Sequence, residues 1–177
     1  LCIQLPNEEL KVAPIAWHLA ELAEYVPAFD VVFLTAKSYD TAWLTQLIEP
    51  YLRETGIMIG LQNGMNDDTI SGIVGVERTI GAVVELSAEM FTPGLVQRDT
   101  TRTHTWFGLG ELDGTITPRL QGIQEILEHI GRVDLTGNIG GAKWTKLVAN
   151  SMVMGMVGFL GLKTREAAKL PGMTELA

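Results

Sequence analysis

A chain of 177 residues with 46% hydrophobic and 19% charged side chains has enough apolar material for a packed core, which excludes disorder. Its 13 basic and 21 acidic residues give a formal charge of −8 with no Lys/Arg cluster. That balance argues against nucleic-acid and membrane partners, and the single cysteine, Cys2, excludes an internal disulfide.

Leu1 to Pro6 lack the basic region and long apolar run of a signal peptide, and no initiator Met opens the sequence. The expectation is a cytoplasmic protein whose given sequence begins part-way along a longer chain. Phe29 to Ala36 is a continuous apolar, β-branched run, the pattern of a strand buried on both faces of a parallel sheet. Tyr39 to Leu52 carries Trp43, Leu44, Leu47 and Ile48 at helical spacing, with Ser38 or Asp40 as candidate cap and Pro50 as candidate terminator. Ile57 to Gln62 reads as a second strand, closed by Asn63-Gly64. Asp67-Asp68 opens a helix through Ile70, Ile73 and Val74, and Thr79 to Leu86 makes a third strand. This alternation predicts right-handed βαβ units and a parallel sheet.

The pattern then changes. Leu95 to Arg98 and Thr103 to Phe107 alternate polar and apolar residues, which predicts an antiparallel hairpin at a sheet edge. Gly108-Leu109-Gly110 lacks the final spacing of a dinucleotide loop, and Glu111 and Asp113 would repel a pyrophosphate, so the segment reads as a turn. Thr117-Pro118 starts a helix with Leu120, Ile123, Ile126, Leu127 and Ile130 on one face, ended by Gly131. Val133 to Leu135 is a brief strand, and a long, mostly apolar helix runs from Ile139 to about Leu160. The glycines at 137–141 mark a hinge between domains. The four tryptophans read as core or interface residues, and no histidine has partners at metal-ligand spacing.

Two pairs of residues carry the chemical interest. Lys146 and Asn150 stand four apart and share one face of the apolar last helix, where burial without partners is costly. Either neighbouring chain satisfies them or they face a ligand cleft. Lys37 and Asn63 each follow the carboxyl end of a predicted parallel strand, the place where open α/β sheets bind ligands. The alternatives are a solvated lysine and a turn-forming Asn-Gly.

Three blocks together, Asp30 to Thr41, Leu61-Gln-Asn63-Gly-Met65 and Lys143-Trp-Thr-Lys146-Leu-Val-Ala-Asn150, resemble the ketopantoate reductases (2-dehydropantoate 2-reductases) over roughly residues 25–160. The resemblance implies an α/β fold: a Rossmann-like, mainly parallel NADP-binding domain over residues 1–137, and over 138–177 the first part of a helical substrate and dimerisation domain. It implies NADPH-dependent reduction of a 2-keto acid, ketopantoate to pantoate in pantothenate biosynthesis. Lys146 then matches the general acid, Asn150 and Asn63 match substrate-binding residues, and Lys37 and Asn63 line the cofactor cleft. A possible homodimer follows from the apolar helix over Lys146 to Leu162, which the few residues after it cannot cover, so that either further chain or a partner subunit must bury it. The family's Gly-rich loop and its distal Ser and Glu are not in this sequence. Met154 stands where the family commonly has a second Asn, which leaves open another β-hydroxyacid or 2-keto acid dehydrogenase of the same superfamily, and the absent Gly-rich loop leaves open a catalytically silent binding or assembly module.

Overall fold

The computed structural model describes residues 1–25, 28–162, 164–167 and 169–172, so positions 163, 168 and 173–177 of the expected second domain lie outside it. The chain opens with two short strands, β1 (Cys2–Gln4) and β2 (Glu9–Lys11), and a single helical turn, α1 (Leu22–Tyr25). Then follow β3 (Phe29–Leu34), α2 (Thr41–Ile48), β4 (Leu52–Gly60), α3 (Asp67–Val74) and β5 (Thr79–Glu85). After them come β6 (Ala88–Thr92), β7 (Leu95–Arg98), β8 (Trp106–Glu111), α4 (Pro118–Glu128), β9 (Arg132–Leu135), α5 (Ile139–Leu160) and α6 (Thr164–Ala167).

The central sheet has the order β3-β4-β5-β8-β9. Its β3–β4, β4–β5 and β8–β9 pairings are parallel and β5–β8 is antiparallel, so the fold is the expected Rossmann-like α/β arrangement with antiparallel strands added. The hairpin forms from different partners than the alternation suggested. Leu95–Arg98 pairs with Ala88–Thr92 and, in parallel, with β1, in a second sheet ordered β2-β1-β7-β6. Trp106 and Phe107 belong instead to β8 in the central sheet. Ala88–Thr92 is exposed along its whole length, so it carries no buried alternation that a reader of the sequence could detect.

Two apolar layers hold the central sheet. On one face Ile57, Ile59, Ile80, Ala82, Phe107 and Leu109 meet Leu120, Ile123 and Leu127 of α4. On the other, Leu34, Leu52 and Met58 meet Ile70 and Val74 of α3, with Leu44 and Ile48 of α2 packed alongside. Side chains two apart on a strand share a face, which is why β4 divides Ile57 and Ile59 from Met58.

The second face also carries a row of glycines. Gly60 pairs with Gly81 and Gly81 with Gly110, so three adjacent strands present bare backbone along one line. A Cβ on Gly60 would lie 2.8 Å from Ile70 Cδ1, on Gly81 2.8 Å from both Asp67 Oδ2 and Ile139 Cγ1, and on Gly110 2.8 Å from Ile139 Cβ. The row is the groove into which the N-terminal turns of α3 and α5 sink. Gly108 and Gly110, read above as a turn, are therefore strand residues; the turn begins only at Leu112.

Helix ends follow local chemistry, with two corrections. Pro50 does stop α2, in a 3-10 turn over Glu49–Tyr51. Asp40 stands at the N-cap position of α2, but neither it nor Ser38 makes a side-chain capping bond: the Asp40 carboxylate accepts from Trp43 Nε1 at 2.7 Å and the Ser38 hydroxyl donates to the Asn63 carbonyl at 2.9 Å. Thr117 caps α4 through Leu120 N, with Pro118 at the first helical position. Asn138 accepts from Gly141 N at 2.9 Å to start α5, and Gly161 ends it in the left-handed conformation at φ +65°. No tryptophan of this chain is buried: Trp17, Trp43 and Trp144 are exposed and Trp106 is half-covered. Among the described residues no helix is long and apolar enough to cross a membrane.

One polar knot ties α4 to β8. Glu111 is buried and accepts from Arg119 Nε and Nη2 at 2.8 and 2.6 Å and from the Thr117 hydroxyl at 2.5 Å. Burial alone would raise its pKa, but the Arg119 and Thr117 bonds outweigh it and hold the carboxyl below the usual range. The unfolded chain then takes up a proton first as pH falls. The stability this site contributes is present above the ordinary glutamate range and is lost as pH drops through the depressed folded value. Glu111→Gln is expected to flatten the acid limb of melting temperature against pH; an unchanged limb would remove Glu111 as its cause.

Candidate functional site

The carboxyl ends of β3, β4 and β5 lie side by side, and polar residues gather there. Gln62, two residues past β4, is buried; its amide donates to the Ala36 carbonyl at 2.7 Å and accepts from the Thr41 hydroxyl at 3.1 Å. It thereby locks the end of β4 to the segment leaving β3. Next to it Asn63 is held through its backbone carbonyl by Ser38 Oγ at 2.9 Å and Asn66 Nδ2 at 3.1 Å, which leaves its side chain exposed and free to face α5.

The long helix α5 crosses over this edge. Ile139, Lys143, Lys146 and Asn150 fall at i, i+4, i+7 and i+11, one stripe along the helix. Ile139 sits on Gly81 and Gly110. Lys143 is buried, and its ammonium donates to Asp67 Oδ1 at 2.5 Å. Lys146 is about three-quarters covered and its Nζ lies 3.4 Å from Glu85 Oε1 at the end of β5. Asn150 Nδ2 reaches Asn63 Oδ1 at 3.4 Å. A small cavity of about 10 Å³ at this point is lined by Gln62, Asn63, Gly64, Val84, Lys143 and Lys146.

The structure thus brings Lys146, Asn150 and Asn63 to one place. Lys37 reaches the same end of the sheet but is exposed, with no ion pair among the described residues; its neighbour Ser38 makes the link to Asn63. Two groups were not singled out by the sequence reading. Gln62 stood only as the last residue of a strand. Lys143 stood only inside a motif, although a third polar residue on the same apolar stripe as Lys146 is a signal that it needs a buried partner. Asp67 is also the helix opener that the sequence suggests, since a carboxylate suits the first turn of α3. Burial pushes its carboxyl above the ordinary range, and the Lys143 ammonium opposes that shift without cancelling it.

Chemically, the site offers a cation with a nearby carboxylate, and two amides able to donate and accept. The Lys37 ammonium and the Asn63 amide suit the polar ribose and amide parts of a nucleotide laid along the strand ends. Gly108 and Gly110 lie in β8 and so form no loop that could cradle a pyrophosphate.

Comparison with known proteins agrees with this architecture. The family profile described as ketopantoate reductase PanE/ApbA matches residues 1–111. A 2-dehydropantoate 2-reductase of Pyrococcus horikoshii is 30% identical over 141 residues, covering 76% of this chain and 43% of that protein. Among solved structures, a 2-dehydropantoate 2-reductase from Geobacter metallireducens superposes with a TM-score of 0.86 at 22% identity, over 99% of this chain and 57% of that one. A D-mandelate dehydrogenase, solved as a ternary structure with NADH and anilino(oxo)acetate, gives 0.80 at 17% identity, over 99% of this chain and 55% of that one. The chain therefore spans about half the length of the proteins it resembles.

Proposed function

The chain belongs to the ketopantoate reductase family PanE/ApbA, and from that premise we propose that it serves a pyridine-nucleotide-dependent reductase of 2-keto acids, with ketopantoate as substrate and pantoate as product. The strand ends of β3, β4 and β5 supply the nucleotide side of the cleft, and α5 begins the helical side. The observation that carries this reading is the meeting of Lys146 and Asn150, one turn apart on α5, with Asn63 at the carboxyl end of β4.

The nucleotide, when bound, supplies the hydride. The rest falls to residues of this chain. Negative charge grows on the keto oxygen as its carbon is reduced, and the Lys146 ammonium stabilises that charge and gives up a proton from Nζ. Asn150 and Asn63 hold the 2-keto acid by hydrogen bonds, so that the oxygen lies within reach of Lys146. Lys37 and Asn63 border the nucleotide. Glu85, at 3.4 Å from Nζ, keeps the ammonium directed to the strand ends until substrate arrives.

The test is oxidation of NADPH, and separately of NADH, by the protein of the complete reading frame against a panel of 2-keto acids. Turnover is expected, fastest with ketopantoate. No oxidation of either nucleotide with any member of the panel would overturn the reading. A second reading, a reductase of another 2-keto acid, is favoured by one observation: Met154, four residues beyond Asn150 on the same stripe, offers no hydrogen bond of the kind an amide would. A preference in the panel for aromatic or apolar 2-keto acids would select it.

A further inference from the structure

We propose that Lys143 and Asp67 are a positioning pair which sets where α5 leaves the sheet, and thereby holds Lys146 and Asn150 over Asn63. This rests on the functional reading above and extends it to a pair whose ammonium and carboxylate are bonded to each other. Four observations carry it. The ammonium and carboxylate are both buried and 2.5 Å apart, joining helices whose contacting residues are 76 positions distant in sequence. Asp67 lies directly over Gly81, where an added Cβ would stand 2.8 Å from its Oδ2 and displace it, and it is beside Gly60 at ordinary contact distance. Lys143 sits between Ile139, seated on the same glycine row, and Lys146, in the cleft. The stripe of α5 thus carries two anchors, Ile139 and Lys143, followed by two presented groups, Lys146 and Asn150, at helical spacing.

Stability is a poor explanation for such a pair. A buried ion pair loses hydration on both partners, and well-packed apolar residues of similar volume commonly serve the fold as well or better. The shift of Asp67 away from its charged form points the same way. What apolar side chains lack is direction: a contact between them tolerates sliding, whereas an ammonium bonded to one carboxylate oxygen fixes a distance and an orientation. A displacement of about 1 Å at the reacting groups is enough to cost on the order of 100-fold in rate.

The experiment compares Lys143→Met with the combined Asp67→Leu/Lys143→Met variant in the protein of the complete reading frame. The single change strands a buried carboxylate and lowers the melting temperature; the combined change removes both charges and restores it. Turnover separates the two roles. If the pair positions Lys146, kcat of the combined variant stays at least about 10-fold low. Nucleotide affinity holds, and Lys146, followed by peptide mapping, reacts faster than wild type with an amine reagent such as trinitrobenzenesulfonate. Recovery of kcat together with melting temperature would overturn the proposal and leave a purely structural pair. Should wild-type protein reduce no 2-keto acid, the functional reading falls by itself. Lys146 labelling then decides the positioning claim alone: faster in the combined variant sustains it, unchanged overturns it.

Discussion

Lys146→Ala is expected to lower kcat by about 100-fold or more, with nucleotide affinity and melting temperature close to wild type. The two halves of this expectation come from different magnitudes. The ion pair of Lys146 with Glu85 is long, at 3.4 Å, and Glu85 is more than half exposed, so solvent screens it and its loss costs the fold no more than about 1 kcal/mol. The transition state of the proposed reduction, in contrast, develops negative charge on the keto oxygen that the ammonium faces. A 100-fold loss corresponds to about 2.7 kcal/mol of stabilisation present only there. A variant that folds normally and turns over at the wild-type rate would remove Lys146 from the mechanism. Lys146→Arg is a useful companion, because it retains charge but presents a planar fork with a far higher pKa, and so poorly replaces a proton donor. A merely electrostatic role would survive that exchange; a proton-donating one would not.

How much of this was legible beforehand varied with the range of the interaction. The alternating strands and helices from Phe29 to Glu85 could be read because each signal is local: an apolar run, a helical spacing, a proline. The start of α4 at Thr117-Pro118 and the long span of α5 were readable for the same reason. The second sheet was not. Its strands are short and largely exposed, and β1 reaches β7 across more than ninety residues, with no buried face to reveal the pairing. Caps failed where a side chain found a tertiary partner first, as Ser38 did in Asn63. At the site, Lys146, Asn150 and Asn63 were legible from helical geometry and strand ends. The Lys143–Asp67 pair was not, because a sequence shows that a buried lysine needs an acid but not which one the fold delivers.

The glycine row shows the same limit from the other side, since a reader of the sequence sees Gly108 and Gly110 as a loop while the structure places both in β8 and uses Gly110, with Gly60 and Gly81, as a floor. Gly81→Val is accordingly expected to destabilise the protein by about 3 kcal/mol, the upper part of the range for overpacking. Its first carbon alone would lie 2.8 Å from Asp67 Oδ2 and 2.8 Å from Ile139 Cγ1, and neither neighbour can withdraw freely. Asp67 is bonded to Lys143, and Ile139 opens the helix that also rests on Gly110. The strain therefore passes into α5, and reductase turnover should fall along with the denaturation midpoint. Gly122→Ala supplies the contrast. Gly122 lies inside α4, where an added Cβ meets nothing within 4 Å, so the change should stabilise by roughly 0.5–1 kcal/mol through helix propensity alone. Chemical denaturation of the two variants gives opposite signs if the row is a seat for α5. A Gly81→Val protein as stable as wild type would mean that α5 does not press on the sheet at this point, and that the stripe carrying Lys146 is held by other contacts.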